Sequence, residues 1–125
     1  MAGVTLDAGA MIALDRNDRR VIALLARAAA TGGEITVPAG ALAQAMRRPD
    51  RQVRLSRLIR QPTTRVIPVD RVDAVKVGRL LGSSGTADVI DAHVVLCASR
   101  SGQPIATTDP GDLAQLDPTA QLIEL

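Results

Sequence analysis

The sequence predicts one α/β domain with a mostly parallel central sheet of four to five strands and helices on both faces. Short apolar, strand-like segments alternate with helical segments along all 125 residues, and 46% of the residues are hydrophobic. Strands that alternate with helices favour a parallel sheet whose crossover helices cover both faces. A chain of this length can bury one core without crosslinks and shows no linker or repeat, so residues 1–125 are expected to form a single domain.

Five short apolar runs have the length and composition of buried strands. In chain order they are VTL (4–6), EITVP (34–38), TRVIPV (64–69), PIATT (104–108) and AQLIEL (120–125).

The segments between these strands carry apolar residues at helical spacing, bounded by acids, glycines and prolines that act as start and stop signals. The expected helices are AGAMIAL after Asp7, residues 18–33, residues 39–48, residues 50–62, residues 71–82 capped by Asp70, and a helix that runs from a Thr86 cap to about Ser101.

Composition excludes several classes of protein. A single cysteine, Cys97, rules out an internal disulfide framework and a cysteine zinc site, so we expect a reducing, cytoplasmic location. No export signal and no membrane-spanning run is expected. Aromatic residues make up 0% of the chain, which removes the usual stacking surfaces for bases. Any nucleic acid must therefore be held by its backbone.

Three aspartates are expected to meet at one edge of the sheet, and a fourth could join them. Ligands of open α/β sheets bind at the carboxyl ends of the strands. Asp7 directly follows the first predicted strand, Asp109 follows the fourth, and Asp91 lies in the first turns of the helix that leads into the fourth. Asp88 is three residues before Asp91, so these two acids share a helix face.

Several carboxylates in one cleft repel each other unless some are protonated or a cation binds. Mg²⁺ or Mn²⁺ takes oxygen ligands and is commonly paired with phosphate chemistry. Each acid also has a structural alternative, because Asp88 can stabilise a helix N-terminus, Asp7 can cap the next helix, and Asp109 can form a turn. The shared location favours a metal site over three separate structural roles.

Positive charge is concentrated in one segment although the net charge is only +2. Seven arginines and one acid, Asp50, lie between Arg47 and Arg65. A basic helical face of this kind favours contacts with phosphates over an ordinary solvated surface, and the contacts are assigned to Arg47, Arg48 and Arg51.

Three further side chains are expected to take no part in the chemistry. Cys97 in VVLCA has the setting of a small core residue. His93 is two positions from Asp91, so it should point away from the acids and be surface-exposed or partly buried. Asp112 is expected to be an exposed cap of the short turn GDLAQL.

These segments, taken in order, resemble the PIN-domain ribonucleases, and within them the VapC-like toxins of bacterial type II toxin–antitoxin systems. VTLDAGAMIAL resembles the opening strand with its acid, and ITVPAGALAQAMR resembles the second strand and the helix after it. TADVIDAHVVLCA and PIATTDPGDLAQL resemble the segments that bear the third and fourth acids, and they are the most specific part of the likeness. The resemblance covers nearly the whole chain and implies a PIN-like three-layer α/β/α fold.

The resemblance also implies an activity and partners. It implies endonucleolytic cleavage of RNA by a metal-activated water, a small antitoxin protein that blocks the site, and a homodimer. The residues that it assigns are Asp7, Asp91 and Asp109 as catalytic ligands of Mg²⁺ or Mn²⁺, Asp88 as an additional metal ligand or a group that hydrogen-bonds to the ligands, and Thr107 or Thr108 as a hydrogen-bonding neighbour.

Gln44 departs from the family pattern, which most often has a glutamate on the helix after the second strand. A glutamine carbonyl can orient a water or touch an ion, but it brings no negative charge. This residue favours a rival hypothesis, an inactive PIN-fold module that binds RNA or a partner protein. A phosphoacceptor or phosphatase of another α/β family is disfavoured because Asp7 is followed by Ala8 and Gly9 and not by a second acid.

Overall fold

The computed structural model describes residues 3–125. Over this range the expected α/β class and PIN-like architecture are confirmed, and every strand of the sheet is parallel to its neighbours. The strands are β1 (Val4–Leu6), β2 (Ile35–Pro38), β3 (Thr64–Ile67), β4 (Ile105–Thr107) and β5 (Leu122–Glu124). The helices are α1 (Ala8–Asp15), α2 (Arg19–Ala30), α3 (Ala39–Ala45), α4 (Val53–Leu58), α5 (Arg71–Ser84), α6 (Val89–Ser101) and α7 (Pro110–Leu116).

The strand order is β3-β2-β1-β4-β5, so the first strand lies at the centre of the sheet. In the register, Thr5 pairs with both Thr36 and Ile105. Since all strands run in one direction, the residues that follow β1 and β4 emerge side by side at the same edge. This arrangement brings together parts of the chain that are about a hundred residues apart.

The core is built from aliphatic side chains and methionine, because the chain has no aromatic residue to fill it. Helix α1 packs on β1 and β4, while α6 packs on β1 and β2 and is covered in turn by α5. The largest side chains that are fully buried include Leu6, Met11, Leu55, Ile105 and Leu113. Their positions in strands and helices from both halves of the sequence indicate one continuous core.

Several element ends differ from the expectation. Helix α6 is capped by Asp88 and not by Thr86, whose hydroxyl is within hydrogen-bond distance of the Ser84 hydroxyl (2.9 Å). Helix α5 continues through residues 83 and 84, which were expected in a loop. Helices α3 and α4 are shorter than expected, and GDLAQL belongs to the helix α7 rather than to a simple turn. Among the helices of residues 3–125, none is long and apolar enough to cross a lipid bilayer.

Candidate active site

Asp7 ends β1 and begins α1 at the centre of the carboxyl edge. Its Oδ1 accepts a hydrogen bond from the N–H of Ala10 (2.8 Å), so it caps α1. The residue is only 6% exposed. Burial raises the pKa of its carboxyl group, and hydrogen bonds from the Thr107 side chain and the Ala10 backbone act in the opposite direction. The structural alternative, a cap of α1, is therefore observed at this residue, whose carboxyl group also lies near that of Asp109.

The loop after β4 places Asp109 beside Asp7. The Thr107 hydroxyl oxygen accepts a hydrogen bond from the N–H of Asp109 (2.8 Å), which fixes the start of this loop. Asp109 precedes α7 without forming a side-chain cap bond, and its charge raises the pKa of Asp7. Of the two expected threonines, Thr107 is buried and bonded within the site, whereas Thr108 is exposed and lies close to Gly9.

Helix α6 contributes two acids from its first turn. Asp88 caps the helix, and its Oδ1 accepts a hydrogen bond from the N–H of Asp91 (2.9 Å). The pKa of Asp91 is raised to about 6 by burial, and also by the charges of Asp88, Asp112, Asp7 and Asp109. Since all four of these carboxylates contribute to the raised pKa of Asp91, each lies close enough to interact with it electrostatically.

Asp112 is the acid whose role the sequence did not predict. It is exposed in the first turn of α7, as expected, but it also shares a hydrogen bond with Asp109 that raises the pKa of Asp112. With Asp88 and Asp91 it lines a cavity of about 170 Å³. The available signal was its spacing, since Asp109 and Asp112 repeat the three-residue separation of Asp88 and Asp91.

We refer to these five residues, Asp7, Asp88, Asp91, Asp109 and Asp112, as the acid edge. The pKa values of Asp7 and Asp91 are raised first by burial and then by neighbouring acids, and no basic side chain is among the main contributions to either shift. A donor set made only of carboxylate oxygens suits a hard divalent cation such as Mg²⁺ or Mn²⁺. The residues present therefore fit the expected metal.

Gln44 lines a different cavity, which we call the arginine groove. The groove has a volume of about 430 Å³ and is lined by Ile12, Asp15, Arg16, Gln44, Ala45, Arg47, Arg48, Arg51 and Gln52. The Oε1 atom of Gln52 accepts hydrogen bonds from the N–H groups of Arg47 (2.8 Å) and Arg48 (2.7 Å), which holds the α3–α4 loop in shape. The three arginines expected to contact phosphates thus lie together, and Arg16 of the α1–α2 loop joins them.

A second polar cluster lies on the other side of α6. Asp73 of α5 accepts hydrogen bonds from Arg100 Nη1 (2.7 Å) and Nη2 (3.1 Å), and its Oδ2 lies 2.9 Å from His93 Nε2. We call Asp73, His93 and Arg100 the ionic cluster. The expectation of a surface or partly buried His93 was wrong, because this side chain is 1% exposed. Its carboxylate partner is 20 residues away in sequence, and local spacing carries no signal for such a contact.

Cys97 is buried, as expected for a small core residue, with its Sγ 3.6 Å from His93 Nε2. Burial raises the pKa of its thiol to about 11, so the thiol stays protonated at neutral pH.

No family model and no curated protein matches this sequence. Three solved structures share the fold over nearly the full length of each chain. FitAcB from Neisseria gonorrhoeae is 18% identical, with 97% of this chain and 96% of that chain covered and a TM-score of 0.63. FitAB bound to an IR36 DNA fragment is 16% identical over 97% and 94%, with a TM-score of 0.65. VapBC2 from Rickettsia felis, bound to a DNA fragment from its promoter, is 14% identical over 98% and 98%, with a TM-score of 0.68.

At these identities the likeness is one of fold. The resemblance to VapC-like PIN domains that the sequence suggested is thereby confirmed for the architecture.

Proposed function

We propose that this protein is a metal-dependent endoribonuclease and the toxin of a toxin–antitoxin pair. The observation that carries the proposal is the acid edge, where Asp7, Asp91 and Asp109 come from three separate parts of the chain and lie close enough to affect one another's pKa. Ionising several neighbouring carboxyl groups costs free energy, and a bound cation offsets this cost by neutralising their charge.

In this proposal the chain's own residues hold and orient the reactants. Asp7, Asp91 and Asp109 are the main ligands, and Asp88 and Asp112 add negative charge from the helix ends beside them. When bound, Mg²⁺ or Mn²⁺ polarises a phosphoryl oxygen and lowers the pKa of a coordinated water. The Thr107 hydroxyl oxygen accepts a hydrogen bond from the N–H of Asp109, which holds the backbone of the loop from which Asp109 would ligate the ion.

The arginine groove is the proposed contact surface for the RNA backbone. Arg47, Arg48 and Arg51 are exposed around it. Since the chain has no aromatic residue for base stacking, phosphate contacts have to supply most of the affinity.

The partner proposals follow from the fold and the surface. The structures that share this fold are FitAB and VapBC2 assemblies, and we propose a small antitoxin as the partner of this chain. A homodimer is also proposed, and it is supported by four exposed valines: Val66 on β3, Val69 in the loop after it, and Val72 and Val75 at the start of α5. Such apolar side chains are typical of a surface that a second chain covers.

The direct test is cleavage of total RNA by purified protein with Mn²⁺ or Mg²⁺, compared with an EDTA control. Asp7→Asn and Asp109→Asn should abolish cleavage and relieve growth arrest on expression, with an unchanged circular dichroism spectrum. The matched control is Asp117→Asn, because Asp117 follows α7 and lies outside the acid edge. Cleavage that survives EDTA and both substitutions would refute the proposal.

The second candidate is an inactive PIN-fold module that binds RNA or a partner protein, and Gln44 favours it. The variant Gln44→Glu distinguishes the two candidate functions. If the neutral amide limits activity, the added charge should raise metal affinity and cleavage. If Asp88 or Asp112 supplies the charge instead, Gln44→Glu should be neutral while Asp88→Asn impairs cleavage. No cleavage by wild type or by Gln44→Glu would favour the inactive module.

A further inference from the structure

Helix α6 carries two acids of the acid edge, yet burial alone does little to fix its rotation about its own axis. Its buried residues are Ala92, His93, Val94, Val95, Cys97 and Ala98. At about 100° per residue these positions cover most of the helix circumference. An amphipathic helix is oriented by its single apolar stripe, whereas the buried side chains of α6 extend over most of its surface and form no such stripe.

The ionic cluster holds α6 at two points of one face. His93 and Arg100 are seven residues apart, which is close to two full turns, so both side chains project toward α5. There they meet the same carboxylate, with Arg100 Nη1 at 2.7 Å from Asp73 Oδ1 and His93 Nε2 at 2.9 Å from Asp73 Oδ2. Asp73 is 3% exposed, and charge-assisted bonds to a buried carboxylate are directional. These bonds select one rotation of α6.

That rotation decides where Asp91 points. Asp91 precedes His93 by two residues and therefore lies about 200° from it around the helix. When His93 faces α5, Asp91 is turned toward the acid edge on the opposite side. Its N–H there donates a hydrogen bond to Oδ1 of Asp88 (2.9 Å), so the two acids of α6 are held together. A turn of α6 about its axis would carry both away from the acids that follow β1 and β4.

We propose that Asp73, His93 and Arg100 are positioning residues that set the rotation of α6 and so hold Asp91, and with it Asp88, in the acid edge. The inference rests on the proposed function only for the ion that these acids bind. In this proposal the ionic cluster determines which packing of α6 is adopted more than it stabilises the fold, since buried ion pairs often add little net stability.

A metal ion at Asp73, His93 and Cys97 is a weaker explanation of the same cluster, although their ligand atoms lie within 4.8 Å of one another. The Arg100 guanidinium already neutralises the carboxylate, and the Nε2 proton of His93 is needed for its bond to Asp73. A metal on Nε2 would move that proton to Nδ1, which is buried and has no hydrogen-bond partner in the described chain. Ligating histidines normally donate the other ring N–H to a partner.

The test replaces the ionic cluster with apolar side chains of similar size, in the variant Asp73→Leu/His93→Leu/Arg100→Met. Because no buried charge is left unpaired, the variant should fold with a thermal midpoint near that of wild type. Its Mn²⁺ affinity, measured by calorimetry well below that midpoint, should fall by about tenfold, as for other residues that orient metal ligands. Amide hydrogen exchange in the first turn of α6 should be faster in the metal-free variant.

Two further variants keep the proposal falsifiable if the triple variant fails to fold. Arg100→Gln should weaken Mn²⁺ binding, and Arg100→Lys should restore part of it, because a lysine keeps one charged bond to Asp73. Val21→Ala is the stability control, since it removes buried methyl groups from α2, which packs on α1, and should leave Mn²⁺ affinity unchanged.

The outcomes separate the two proposals. If wild type does not bind Mn²⁺, the proposed function fails, and the positioning role is then judged by hydrogen exchange in the first turn of α6. Equal Mn²⁺ affinity in wild type, the triple variant and Arg100→Gln would overturn the positioning role, as would equal hydrogen exchange in all three proteins.

Discussion

The acid edge and the ionic cluster lie on opposite sides of α6 and place aspartates in opposite electrostatic environments. Asp73 is buried, but Arg100 and then His93 lower its pKa to about 2. Asp91 is partly buried with acids around it, and its pKa is raised to about 6. The fold thus places basic side chains beside Asp73 and acidic ones beside Asp91. Under the proposed function, a bound cation would compensate the negative charge of the acid edge.

Neutralising the acid edge should give the largest change in stability. The raised pKa of Asp91 means that ionising it costs free energy in the folded state, so stability falls as pH rises from about 4 to about 6. Metal-free Asp91→Asn should therefore be more stable than wild type at pH 7, by at most about 3 kcal/mol. Below pH 4 the two proteins should be equally stable. Urea unfolding in EDTA at pH 3.5 and pH 7 measures both.

Added Mn²⁺ should reverse this order. Wild type gains stability because the ion binds the folded state, whereas Asp91→Asn loses a ligand and gains less. Asp15→Asn is the control, because Asp15 lies in the arginine groove and not among the acids. If Asp91→Asn is less stable than wild type in EDTA at pH 7, then ionised Asp91 does not destabilise the metal-free protein.

The ionic cluster should show the opposite pH dependence. The pKa of Asp73 is lowered to about 2, so its contribution is fully present above about pH 4 and is lost as pH falls through 2. Asp73→Asn should destabilise the protein by about 2 kcal/mol at neutral pH, with no further loss at acid pH from this site. Unfolding midpoints in urea between pH 2 and pH 7 provide the measurement. Equal pH profiles for variant and wild type would contradict the ion pair.

The fold could be predicted from the sequence because each of its strands is marked by local signals. Apolar runs that end at Asp7, Pro38 and Asp109 mark strand ends, and the parallel order follows from the helices between them. Exact helix ends were less accessible. Thr86 and Asp88 are both good capping residues, and only the pairing of the Thr86 hydroxyl with Ser84 leaves the cap to Asp88.

The acid edge was predictable where it depends on strand ends, and less so where it depends on tertiary packing. Asp7 and Asp109 follow adjacent strands, so their proximity is a property of the topology. The interaction of Asp112 with Asp109 depends on how α7 leaves β4, and the partner of His93 depends on how α5 packs on α6. Gln44 was assigned by family position alone, and its side chain lies along the arginine groove.

The same comparison applies to arginines with and without acidic partners. Substituting the unpaired arginines should have the smallest effect. Arg100 is bonded to Asp73, whereas Arg48 and Arg51 lie exposed along the arginine groove. If these two contact RNA phosphates, Arg48→Gln/Arg51→Gln should reduce the slope of log affinity against log salt by about 0.7 for each lost contact. Binding is measured by fluorescence anisotropy in an Asp109→Asn background, so that the RNA stays intact. Arg19→Gln/Arg27→Gln in α2 removes the same charge from arginines that do not line the groove, and its slope should match that of the parent. If both double variants shift the slope equally, the arginine groove has no special contact with the backbone, and its arginines act only through the net charge of the protein.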